Sequence, residues 1–137
     1  MVNKGPDYLR VACAVILRDK HVLVVQRGLQ MRLSGKWEFP GGKIEQGESV
    51  EDCIVREIHE ELSMDISVLE QWPSVFHDYG DQQIELVPLL CSTTMENPVL
   101  KEHQAFVWAD LVVALRLEWA AADMPVRDMA LNHLTSA

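Results

Sequence analysis

A chain of 137 residues, 48% of them apolar, is long enough to bury one core, and its formal net charge of −9 sets it against other polyanions. Such an acidic surface repels DNA, RNA and anionic membranes, so neither a long nucleic acid nor a lipid surface is an expected partner. A small phosphorylated ligand stays open, provided cations carry the contact between anions.

The opening MVNKGPDYLR lacks the apolar stretch of a signal peptide. No apolar run reaches the ~20 residues that span a bilayer. "VACAVILRDKHVLVVQR" predicts two strands rich in Val and Ile, joined by a tight polar turn at Arg18 to Lys20. "GLQMRLSGKWEFPGG" reads mostly as loop, punctuated by Gly and Pro. Ser49 followed by Asp52 resembles a capping box and starts a helix near Val50. The apolar stripe of that helix is Ile54, Val55, Ile58 and Leu62. "MDISVLEQWPSVFHDYG" and "QQIELVPLLCSTTM" read as the two strands of a hairpin around Gly80 and Asp81, and "AFVWAD" as a further short strand. "MPVRDMALNHL" predicts a C-terminal helix with Pro125 in its first turn. Strands interleaved with two helices predict an α/β domain over residues 1–137, an α/β/α sandwich with helices on both faces of a mixed sheet. Cys13, Cys53 and Cys91 are odd in number and far apart, which suits small buried side chains in a reducing cytoplasm rather than a disulfide or zinc framework.

The predicted central helix is crowded with acids. Glu57, Glu60 and Glu61 stand at i, i+3 and i+4 and share one stripe beside the apolar one. Without a counter-charge such neighbours weaken a helix by a few tenths of a kcal/mol. A divalent cation reverses that sign, since Mg²⁺ takes hard oxygen ligands from a few carboxylates and from phosphates. A solvated acidic face is the alternative that the helix alone leaves open.

The residues around the helix extend the pattern. Gly42, five residues, Glu48, seven residues, Arg56-Glu57-Ile58, one residue, Glu60-Glu61: this string closely resembles the signature box of the Nudix hydrolases. Leu62-Ser63-Met64 follows where the box has any residue, glycine and an aliphatic, so Ser63 in place of glycine is the departure. It puts the helix C-cap in doubt rather than the acids. The resemblance implies the Nudix fold. It also implies hydrolysis of a nucleoside diphosphate linked to another group, with Mg²⁺ (or Mn²⁺) held by Glu57, Glu60, Glu61 and the carbonyl of Gly41. Arg56 would orient the cluster through Glu48. Cations would then carry an anionic substrate onto an acidic protein.

"KWEFPGGKIEQGES" and "WAAADMPV" extend the resemblance to the MutT-type nucleoside triphosphate pyrophosphatases, small stand-alone enzymes, which makes a cytoplasmic monomer the expectation. That likeness implies phosphate contacts for Arg27 and Lys43, a place beside the base for Phe39, and a metal-ligand or base role for Glu102. The base stays open among Glu61, Glu57 and Glu102. Arg27 at a strand end, Phe39 in a core and Glu102 in a polar loop also have ordinary structural explanations.

The same likeness implies that Asp123 reads the base, while its place before the last helix would equally suit an N-cap. An ionised Asp123 accepts hydrogen bonds only and suits the two donors of a guanine edge. "ADMPV" instead looks closest to relatives described as CTP pyrophosphohydrolases. Guanine, 8-oxoguanine and modified cytosines therefore remain in play. The other readings are a Nudix hydrolase acting on ADP-ribose or a dinucleoside polyphosphate, and a non-catalytic nucleotide-binding module.

Overall fold

The structure, a computed structural model, describes residues 7–136. MVNKGP, most of the opening segment that lacks an apolar stretch, lies outside them. No described helix is long and apolar enough to cross a membrane.

Two long strands form the spine. β1 (Asp7–Arg18) lies parallel to β7 (Gln82–Ser92), in register from Asp7 opposite Gln82 to Leu17 opposite Ser92. On its other side β1 meets two antiparallel partners in succession. β4 (Gly41–Lys43) pairs with Val11 to Cys13, and β2 (His21–Gln26) pairs with Leu17 and Arg18. Between them the Ala14 N–H donates to the Pro40 carbonyl at 2.8 Å. β3 (Trp37–Glu38) and β8 (Ala105–Ala109) pair with β2. β5 (Ser67–Gln71) and β6 (Val75–Asp78) pair with β7.

The period-two alternation of β1 sends its side chains into two cores. Ala12, Ala14 and Ile16 pack with Leu23, Val25 and Leu89 against Cys53, Ile54, Ile58 and Leu62 of α1 (Val50–Leu62). Cys13 and Val15 pack with Val22, Val24 and Leu90 under α2 (Leu111–Arg116) and α3 (Met124–Thr135). Both faces of the sheet are covered, which is why its central strands read as unbroken apolar runs. The α/β architecture with a mixed sheet between helices is therefore as expected, and all three cysteines are buried.

Three local readings change. "MDISVLEQWPSVFHDYG" is two strands: Pro73, which has no N–H to donate, sits between β5 and β6, although the hairpin turn at Gly80 and Asp81 stands. Val55 is 42% exposed and leaves the apolar stripe, its place in the core taken by Cys53. The stretch from Leu111 to Arg116, unassigned in the sequence, is a helix capped by Asp110, whose carboxylate accepts the Val113 N–H at 2.9 Å.

Ser63 adopts the left-handed conformation that glycine favours, at φ 53 and ψ 39, and its N–H donates to the His59 carbonyl at 3.0 Å. The Nudix-type helix end is thus kept, with strain in a residue that carries a Cβ. Ser63→Gly is expected to stabilise the fold by about 0.5–1 kcal/mol, the strain relief outweighing the extra freedom glycine gains when unfolded. A urea midpoint that rises shows this; an unchanged or lower midpoint means the cap is not strained.

Candidate active site

α1 begins where Ser49 accepts the Asp52 N–H at 3.0 Å, and from there its acids fall into place. Arg56 is the organiser. Its Nε and Nη2 form a fork on Glu48 at 2.6 and 2.9 Å, the bridge expected between these residues. Nη1 reaches Glu57 at 3.0 Å and Glu60 at 3.1 Å. The guanidinium beside Glu48 holds that carboxyl down at about 2.

The acids differ in surroundings. Glu57 is tucked against the backbone at Gly42, where a methyl group would push its carboxylate out of place. A methyl at Gly41 would overlap the Ala12 carbonyl, so β4 and β1 approach more closely than a side chain permits. Glu60 is the outermost, 58% exposed. Glu61 has no hydrogen-bond partner among the described residues, and burial raises its carboxyl, with the Glu102 charge adding to the effect. Burial likewise raises Glu57, against the pull of Arg56.

A cleft of about 240 Å³ opens beside this corner and gathers Arg27, Phe39, Gly41, Lys43, Glu61, Glu102 and Asp123 into one wall. These residues span nearly a hundred positions of sequence, and the β1–β4–β7 framework brings them together. Arg27 is committed to Glu38, Nη1 to Oε1 at 2.6 Å, while its Nε donates to the Arg32 carbonyl. Phe39 is buried and packs on Trp119 with ring centroids 5.0 Å apart, so it belongs to the core and to the cleft wall at once. Lys43 and Glu102 are exposed on the rim.

Asp123 is buried. It is not a helix cap: its side chain makes no cap bond to α3, and its Oδ2 accepts the Phe39 N–H at 3.0 Å. Burial, with the Glu38 charge adding, pushes its carboxyl well above the usual carboxylate range, against the opposing Phe39 N–H and Arg27. The neutral form is thereby favoured. That form keeps an acceptor and adds one O–H donor, where an ionised carboxyl only accepts.

The donor set suits a hard divalent cation: carboxylates of Glu57, Glu61 and Glu102, with Gly41 alongside. Burial raises the carboxyls of Glu57 and Glu61, and a cation beside such partly desolvated acids would favour their charged form. The side chains do not yet close into a cage. Among the described residues no three His, Cys, Asp or Glu groups converge as ion ligands, and Arg56 holds Glu57 and Glu60 to itself.

Sequence reasoning missed Glu38 and His103. His103 Nε2 lies 2.9 Å from Glu38 Oε2, joining the polar loop before β8 to the end of β3. The one available hint was an acid lodged between two aromatics, Trp37 and Phe39.

The NUDIX domain family matches residues 7–128. A CTP pyrophosphohydrolase of Escherichia coli (strain K12) is 37% identical over 130 residues, covering 90% of this chain and 93% of that protein. An 8-oxo-dGTP diphosphatase of Proteus vulgaris is 41% identical over 80 residues, covering 57% of this chain and 70% of that one. The solution structure of the E. coli ORF135 protein superposes with a TM-score of 0.78 at 33% identity, over 100% of this chain and 99% of that one. A MutT protein from Methanosarcina mazei Go1 shares the fold with a TM-score of 0.86 at 20% identity, over 98% and 100% of the two chains. Given the matched span and these relatives, the chain belongs to the Nudix domain family of hydrolases.

Proposed function

We propose that this chain hydrolyses nucleoside or deoxynucleoside triphosphates to the monophosphate and pyrophosphate, with modified nucleotides such as 8-oxo-dGTP or cytidine triphosphates among its substrates. The observation that carries this reading is a single cleft presenting two acids of the divalent-cation set, Lys43, and the buried carboxyl of Asp123. Relatives named for CTP and for 8-oxo-dGTP support the substrate class.

Glu57, Glu61 and Glu102, with the Gly41 carbonyl, would hold the cation, and Glu60 lies at the edge of the set. When bound, a divalent cation neutralises charge developing on the phosphates and makes a water acidic enough to attack at neutral pH. The remaining work belongs to the chain. Glu61 lines the cleft with no hydrogen-bond partner among the described residues, so its carboxylate would either help hold the cation or serve as the base toward an attacking water. Arg56 keeps Glu57 and Glu48 in place. Lys43 faces the phosphates as a point charge, and Arg27 does so to the extent that Glu38 releases it. The second oxygen of Asp123 has no partner among the described residues and is available to a base edge.

A nucleotide panel tests the reading. With Mg²⁺, the protein is expected to release pyrophosphate from canonical NTPs and dNTPs, 8-oxo-dGTP or methylated dCTP in preference to cleaving ADP-ribose or a dinucleoside polyphosphate. Preference for either of the last two, or release of single phosphates, would overturn it.

A further inference from the structure

His103 is buried beside the cleft, its side chain only 3% exposed. Its Nε2 is gripped by Glu38 Oε2 at 2.9 Å, and the other Glu38 oxygen takes Arg27 Nη1 at 2.6 Å. The ring is therefore anchored on one side. Its Nδ1 faces the opposite way and stands 3.9 Å from Glu61 Oε2. Among the described residues, Nδ1 is the buried side-chain polar atom that lacks a hydrogen-bond partner.

A buried polar atom without a partner costs on the order of 1–3 kcal/mol. A leucine or methionine would spare Nδ1 that cost but leave Glu38 Oε2 without its partner, and a residue placed only to hold Glu38 needs no second polar atom aimed at Glu61. The gap is also small: closing 3.9 Å to the ~2.9 Å of a hydrogen bond needs only a modest shift of the Glu61 carboxylate, which is otherwise unpartnered.

We propose that His103 is a positioning residue for this site: anchored to Glu38 through Nε2, it sets the carboxylate of Glu61 through Nδ1. Arg27, Glu38, His103 and Glu61 then form one chain from the wall of the cleft to its acidic corner. The proposal rests on the reading of Glu61 as an acid the chemistry uses. It explains why a half-buried Glu38 stands between Trp37 and Phe39 in the sequence and why a histidine follows Glu102.

Asparagine and glutamine divide the imidazole between them. The amide of Asn reaches the position of Nδ1, and that of Gln reaches the position of Nε2. In His103→Gln, which keeps the Glu38 contact and loses the one to Glu61, the apparent Mn²⁺ Kd is expected to rise about 10-fold. It is read from the EPR signal of free Mn²⁺ without nucleotide. At saturating Mn²⁺, kcat should fall about 10-fold with KM within about 2-fold, as an orienting partner predicts. His103→Asn should recover both to within about 3-fold of wild type. Wild-type behaviour in a folded His103→Gln, or a loss in His103→Asn greater than in His103→Gln, overturns the proposal.

A second measurement needs no change at His103. In EDTA, the side-chain ¹H–¹⁵N spectrum should show the His103 Nδ1 resonance move in Glu61→Gln and stay in Glu60→Gln. An Nδ1 resonance indifferent to Glu61 overturns the proposal even where the His103 variants fail to fold. A wild-type protein that binds no Mn²⁺ would instead overturn the cation reading of the helix, and the EDTA spectra still decide the role of His103.

Discussion

Glu61→Gln is expected to lower kcat by about 10³-fold while the melting temperature holds or rises slightly. The glutamine has nearly the same shape, so the fold loses no packing. The charge it removes is partly desolvated and crowded by Glu102 and Glu57, and the glutamine keeps an amide oxygen to face His103 Nδ1, so repulsion falls. The chemistry loses far more. A positioned base or a charge facing the transition state accounts for roughly 10²–10⁴-fold in rate. Glu60→Gln is the internal comparison: Glu60 is 58% exposed and tied to Arg56, and its change should cost about 10-fold or less. Steady-state kinetics at saturating Mg²⁺ separate the two. Near-normal turnover in Glu61→Gln would remove Glu61 from the mechanism.

Asp123→Ala is expected to compress the ranking of nucleotides by about 100-fold in kcat/KM, from loss of a buried hydrogen-bonding pair to the base. It also strands the Phe39 N–H, so some stability goes with it. The ratio between nucleotides, not the absolute rate, is therefore the quantity to read. Asp123→Asn is the sharper variant. A neutral carboxyl offers one acceptor and one O–H donor, and an asparagine amide offers an acceptor and N–H donors in the same plane. Where Asp123 meets the base in the neutral form that its burial favours, Asp123→Asn should preserve the ranking. An ionised Asp123 would instead give a reordered ranking in Asp123→Asn, with a donor-rich guanine edge losing ground to cytosine and adenine edges. An unchanged order in both variants would retire the base-reading role altogether.

The contrast between Asp123 and Glu61 shows what the sequence makes visible. The spacing of Glu57, Glu60 and Glu61 is a local property, because a helix places i, i+3 and i+4 together wherever it forms. Strands β1 and β2 were equally legible from their Val- and Ile-rich runs, and β8 from its aromatic and valine core. β3 and β4 were not, since two and three residues carry no period, and both exist only through pairing with β2 and β1. In α2 the Val-rich "LVVALR" masked a helix that the Asp110 cap announces. The contacts of Glu38 with Arg27 and His103 cross 11 and 65 residues of sequence, and no local pattern encodes them. The state of Asp123 depends on burial beside Glu38, so its chemistry could be read only after the fold.

The central claim is that the carboxylates of α1 crowd together because a divalent cation belongs among them. Thermal unfolding of wild type and of Glu57→Gln/Glu61→Gln, each in EDTA and in millimolar Mg²⁺ or Mn²⁺, tests it most directly. A cation at about ten times its Kd adds roughly 1.4 kcal/mol to wild type, a rise of about 5 °C for a domain of this size. The double variant should melt above wild type in EDTA, freed of the repulsion, and should show no rise with metal. A metal response of equal size in both proteins would place the ion elsewhere and contradict the account.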